Sequence, residues 1–133
     1  MRTLGTLIST LTFVAACGRL SSAPDVAPAR SVQLQLEQTA MVAGSAVRVQ
    51  FVRAADSRCP LGAVCITAGA AVIDLVLSGG GPSQAVTLQL GQKPVTAVYG
   101  GLLFEATALD PFPSSQQPRG AQTLTLRITA LSS

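Results

Sequence analysis

The sequence predicts an all-β domain: an antiparallel β-sandwich of immunoglobulin-like kind, or a partly open barrel, with six to seven strands. Three observations predict it. Short runs alternate apolar and polar residues at the two-residue period of a half-buried strand. Clusters of Gly, Pro and Ser separate those runs, where the backbone must turn. No stretch carries a helical period over ten or more residues, and short alternating strands between turns pack as two sheets.

The domain begins near Ser31. Val32, Leu34 and Leu36 alternate with Gln33, Gln35 and Glu37, a first half-buried strand. Val42-Ala43-Gly44-Ser45 turns the chain. Val47, Val49 and Phe51 alternate with Arg48 and Gln50, so a second strand runs to about Arg53. After a cysteine-bearing loop, Ala71 to Leu77 is a third strand with Ile73, Leu75 and Leu77 on one face. Its other face, Val72, Asp74 and Val76, is only partly polar. Ser78 to Ser83 is a turn, because Gly frees the backbone and Pro stops pairing. Val86, Leu88 and Leu90 mark a fourth strand, and Gly91 to Pro94 turns it. Thr96 to Leu109 holds one or two strands, with a break at Gly100-Gly101. Pro111 to Gly120 is a long polar loop, a length that goes with function or disorder. Leu124, Leu126 and Ile128 alternate with Thr and Arg in a closing strand. With one Tyr and four Phe the core must be mainly aliphatic.

Residues 1–16 read as an export signal. Arg2 supplies positive charge, and Leu4 to Ala16 is largely apolar. The stretch is too short to span a bilayer, which takes about 20 apolar residues. Val14-Ala15-Ala16-Cys17 resembles the bacterial lipobox, in which the peptide is cut before a diacylated cysteine. That resemblance implies lipidation at Cys17. It places the protein in the bacterial cell envelope, with an outer-membrane site favoured in a diderm host because Gly18 is not Asp. The plainer alternative is a secretory peptide with a cysteine beside its cleavage site. Residues 17–30 then form the lipidated N-terminus and a flexible tether. Gly18 to Arg30 is dominated by Ala, Pro and Ser and reaches roughly 40 Å when fully extended. Residues 31–133 are left as a single β-sandwich domain.

Composition excludes several functions. Of 133 residues, 11% are charged and 4% aromatic, and the net charge of +3 is scattered along the chain. A nucleic-acid binder would carry a basic stripe with aromatics for stacking, so no nucleic-acid partner is expected. The chain has no histidine, which removes Ser-His-Asp triads, Cys-His dyads and imidazole-held zinc. No metal and no cofactor is expected.

The stretch Asp56-Ser57-Arg58-Cys59-Pro60-Leu61-Gly62-Ala63-Val64-Cys65 holds the two cysteines of the domain. In an exported protein the default for Cys59 and Cys65 is a disulfide. Free or metal-binding thiols and a redox pair are the alternatives, the latter disfavoured by a spacing other than C-x-x-C. Asp56 suits a turn cap, and Arg58 has Asp56 or Asp74 as partners. The functional alternative makes Asp56, Arg58 and the loop backbone a recognition patch, because loops carry binding more often than cores do.

Asp56-Ser57-Arg58-Cys59-Pro60, followed by Cys65 and by Ala68-Gly69 and Ala71, resembles a recurrent pattern. It belongs to a family of small bacterial secreted proteins and lipoproteins of uncharacterised activity. Leu109-Asp110-Pro111-Phe112-Pro113 resembles the C-terminal part of that pattern. The resemblance covers most of residues 31–131 and implies fold and compartment only. Thr67 stands where the family pattern carries a Trp.

These observations point to a non-catalytic, membrane-anchored envelope lipoprotein with a binding or structural role. The candidate binding loops carry Asp56, Arg58, Pro111, Phe112 and Arg119. The partner is an envelope protein or a small ligand, and the membrane is reached through the lipid anchor. A modulator of another envelope protein is the alternative. A carboxylate-dependent hydrolase ranks lower, because Glu37, Glu105 and Asp110 lie on separate segments and such chemistry needs two acids brought close.

Overall fold

The alternation of apolar and polar residues resolves into eight strands. The computed structural model describes residues 29–116 and 120–132. The strands are β1 (Arg30–Gln35), β2 (Thr39–Met41), β3 (Arg48–Asp56), β4 (Ala71–Ser78), β5 (Gln84–Leu90), β6 (Thr96–Tyr99), β7 (Leu102–Asp110) and β8 (Thr123–Ala130). A first sheet has the order β1-β8-β7-β6 and a second the order β2-β3-β4-β5. Every pairing is antiparallel. The two sheets stack without closing, so the architecture is a sandwich and the barrel alternative falls away.

The count exceeds six to seven because of β2. Its three residues are too short to show an alternation, and only pairing with β3 makes them a strand. Gly100-Gly101 does divide the 96–109 segment into β6 and β7. The first strand also stops earlier than its pattern suggests. Glu37 takes a positive φ of 65°, which turns the chain and leaves Leu36 half exposed.

The core lies between the sheets. Phe51, Leu75 and Leu77 from the second sheet and Phe104, Leu124 and Leu126 from the first are at most 1% exposed. On β4 the inward residues Ile73, Leu75 and Leu77 are buried while Val72, Asp74 and Val76 are only half-buried. This matches the two faces read from the sequence.

Two bulges change which side chains face inward. In β3 the register shifts between Phe51 and Arg53, and in β7 between Ala106 and Ala108. A bulge inserts one residue, so side-chain alternation flips beyond it. Val49 and Phe51 point inward before the β3 bulge. After it Arg53 pairs with Asp74 on the outer face, and Asp56 turns inward, 7% exposed. The β7 bulge buries Leu109 and leaves the adjacent Asp110 exposed.

Polar contacts join the sheets at both ends. At one pole the Tyr99 hydroxyl donates to Gly81 O (3.0 Å) and accepts from Gly80 N–H (3.2 Å). This fixes the β4–β5 turn of the second sheet to the end of β6 in the first. The β1 N-terminus opens at this pole, since Arg30 pairs with Ile128 near the end of β8. There the Arg30 guanidinium donates to Ala43 O in the β2–β3 turn. The opposite pole carries the cysteine loop.

Replacing Tyr99 with Phe removes the hydroxyl from a buried site and orphans the Gly80 N–H. We expect a loss of about 1–2 kcal/mol, read as a lower urea midpoint at unchanged m-value. An unchanged midpoint would show that this contact adds nothing to the sandwich.

Candidate functional site

The loop pole is built from the ends of β3, β4 and β7. Beyond Asp56 the β3–β4 hairpin continues without regular strand. Ser57 N–H donates to Ala70 O (2.9 Å), and Cys59 N–H donates to Ala68 O (3.0 Å). The Ser57 hydroxyl accepts from Ala70 N–H and donates to Ala70 O. Gly69 closes this base at a φ of 67°. A Cβ there would lie 1.9 Å from Ser57 O, so no other residue fits without moving the backbone. Cys59 and Cys65 form a disulfide across the hairpin, with Cα atoms 5.9 Å apart.

The second loop docks on the first. Leu61 N–H donates to Pro113 O (2.9 Å), and Ser115 N–H donates to Leu61 O (3.2 Å). The segment from Pro111 to Gln116, expected as a long polar loop, is thus tied by its backbone to the cysteine loop. Pro113 is buried beneath it.

Arg58 is the strut of this pole. Its backbone N–H and its Nε both donate to Asp56 Oδ1 (3.1 and 2.9 Å). Its Nη2 donates to Asp56 Oδ2 (2.7 Å) and to Leu109 O (2.8 Å). The guanidinium carbon lies 4.3 Å from the centre of the Phe112 ring, a favourable cation–π distance. One side chain therefore connects the end of β3 in the second sheet, the end of β7 in the first and the loop after β7. The pair is largely removed from water, with side chains 13% and 2% exposed.

The structure thus brings together Asp56, Arg58 and Phe112, with the polar atoms of Asp56 and Arg58 bonded to each other and to Leu109 O. Pro111 is exposed beside them. Arg119 and Cys17 lie outside the described residues. Large apolar side chains also face solvent here, among exposed Ser57, Thr67, Ser115 and Gln116: Val64 and Ile66 are each 104% exposed, Leu61 is 62% exposed and Phe112 is 42% exposed. Sequence reasoning stopped at the charged residues and missed these. The available signal was the lack of any charge from Cys59 to Ile73, with Val64 and Ile66 on either side of Cys65.

Of the other carboxylates, Asp110 is exposed at the end of β7, next to Leu109, while Asp74 and Glu105 lie on the outer faces of different sheets. Asp74 accepts from Thr87 (2.8 Å) and from Arg53 Nε and Nη2. The Thr87 hydrogen bond first, and the Arg53 hydrogen bonds second, hold its pKa below the ordinary 3.8. Glu105 pairs with Arg127 at 3.2 Å on the outer face of the first sheet. Among the described residues no three of His, Cys, Asp and Glu gather closely enough to hold a metal ion. A pocket of about 150 Å³ opens at the Tyr99 pole, with Val42, Leu102 and Ile128 in its walls. Drug-sized ligands take about 300–1,000 Å³.

Removing Arg58 strips the buried Asp56 carboxylate of the Arg58 charge and of two side-chain hydrogen bonds. We expect Arg58→Ala to cost about 3–5 kcal/mol in urea unfolding. The paired change Asp56→Asn with Arg58→Met should recover part of that loss. A cost under about 1 kcal/mol, the range of surface ion pairs, would mean that the strut adds nothing.

The disulfide closes a short loop that contains no core residue. Replacing Cys59 and Cys65 together by Ser should lower stability by about 2 kcal/mol on the loop-entropy account. The far-UV circular dichroism of the sandwich should not change. Loss of the β signal would show that the loop carries folding information.

A comparison of the chain with family models, with curated proteins and with solved structures finds no match.

Proposed function

We propose that the chain is a non-catalytic envelope lipoprotein. Residues 1–16 direct export, Cys17 is acylated, and residues 17–30 tether a disulfide-stapled sandwich that binds through its loop pole. The Val14-Ala15-Ala16-Cys17 sequence at the end of an apolar leader carries this reading. A chain exported this way enters a compartment where the Cys59–Cys65 disulfide is stable, which agrees with the bond seen between them.

The non-catalytic part of the reading is supported by how the charges are used. Asp56, Asp74 and Glu105 each take an arginine as partner. Asp56 lies inside its ion pair, and the other two sit on the outer faces of separate sheets. A hydrolase working through two acids needs both on one substrate atom's surroundings, about 5–9 Å apart. The binding part is supported by the loop pole, where two hydrogen-bonded loops present unpaired apolar side chains.

Mass spectrometry of protein extracted from the membranes of producing cells should find Cys17 as an acylated N-terminal residue. A mature soluble form beginning elsewhere, or one retaining the leader, would overturn the anchored reading.

A further inference from the structure

The apolar residues of the loop pole differ from the other exposed apolar side chains. Met41, Val52 and Val98 sit on β2, β3 and β6, and Leu36 and Leu131 just after β1 and β8, one to each strand, as is ordinary on a protein surface. Leu61, Val64, Ile66 and Phe112 share one pole, on two loops whose backbones are bonded to each other. Val64 and Ile66 stand fully in water, so nothing in the fold explains them. We propose that this pole is a membrane-contact tip that seats these side chains in the interfacial layer of a phospholipid bilayer.

Four observations favour lipid over a protein partner. The first is exposure: Val64 and Ile66, each 104% exposed, stand clear of the rest of the fold on the β3–β4 hairpin, and a bilayer accepts such side chains without a matching pocket. The second is size. The large exposed apolar side chains of this pole number four, against about 20–30 residues a side in a standard protein interface. Lipid burial has no such threshold and grows with each apolar group transferred. The third is composition. Protein hot spots favour Trp, Tyr and Arg. Among the described residues of this pole the only arginine is Arg58, whose guanidinium is committed to Asp56 and Leu109. The fourth is polarity. No residue from Cys59 to Ile73 and none from Pro111 to Gln116 is charged, and the exposed charges at this end of the sandwich, Asp110 closing β7 and Lys93 in the β5–β6 turn, lie outside both segments. The backbone at the base is satisfied by the Ser57–Ala70, Cys59–Ala68 and Leu61–Ser115 hydrogen bonds. Desolvating the tip therefore costs little beyond its outermost amides.

The geometry permits contact with the same membrane that would hold Cys17. β1 begins at the pole opposite the tip, and strands of this length span roughly 27 Å. The segment Gly18 to Arg30 reaches roughly 40 Å when extended. It is long enough for the domain to lie down and touch the bilayer with its far end. The tip needs no anchor to act, so the inference goes beyond the lipoprotein reading.

The chain contains no tryptophan, so a single substitution installs a unique depth probe. Full-length protein carrying Ile66→Trp is mixed with phosphatidylcholine vesicles whose acyl chains are brominated. A matched protein carries Val98→Trp, on β6 away from the tip. We expect blue-shifted, strongly quenched emission at position 66 and little change at 98, unaffected by salt. Adding Val64→Asp to the Ile66→Trp chain should weaken that quenching titration by about tenfold, the cost of one lost apolar contact and one charge at the interface. Protease cleavage between residues 60 and 67 of the unmodified chain should also slow on vesicles, a readout that needs no substitution. Vesicle flotation with no quenching at 66 and no protection would overturn the inference while leaving the anchored reading intact. Quenching at 66 that persists in a Cys17→Ser chain would support the tip without any anchor. Equal quenching at 66 and 98 would overturn it, and tip crosslinking to a protein in place of lipid would do the same.

Discussion

The contact on which this structure depends is the bidentate pair between Arg58 and Asp56. It sits where two sheets end and a pair of loops begins, and it joins all of them. An ion pair removed from water is tolerable only when its remaining donors are satisfied. Here the spare Nη2 hydrogen bond goes to Leu109 O, and the guanidinium face is covered by Phe112. The pair therefore contributes little through net charge attraction and much through position. It fixes the angle at which the cysteine loop leaves the sandwich and the place where the chain after β7 must pass.

The two poles solve the same problem by different chemistry. Aliphatic packing between sheets is non-directional, so it does not by itself set how one sheet sits along the other. At one end a neutral phenol, Tyr99, holds a glycine turn. At the other a charged fork holds a carboxylate and a carbonyl. Between them the core is supplied entirely by strand residues and the short approach to them, with nothing from 59–69. The loop pole is thus rigid at its base and independent of the core at its tip. Its sequence can be shaped by what it touches without cost to the interior.

Much of the fold was legible in the residues. The runs around Leu34, Phe51, Leu75, Leu88 and Leu126 each marked a strand and its buried face, because one face of each meets the core. β2 was illegible because three residues show no period. The depth of Asp56 was illegible because a two-residue alternation counted from Val49 and Phe51 places Arg53 and Ala55 inward and Asp56 outward. An arginine at a nominally inward position was the hint that the count breaks. Arg58 had two acidic candidates in the sequence, and only the bulge decides between them by sending Arg53 to Asp74. The Thr67 position, where the resembled pattern carries Trp, lies on the exposed part of the hairpin, a placement that alternation outside a strand does not reveal.

Along a strand every residue inherits its side from its neighbour, so an extra residue works like a carried digit. Val52 and Thr107 each add one, in β3 and β7, upstream of the two positions that meet at Arg58. Both tallies must be shifted together. Shifting only one would leave either the carboxylate or the Leu109 side chain on the wrong side of its sheet. The two strands never pair with each other, yet the ends of both meet at a single guanidinium.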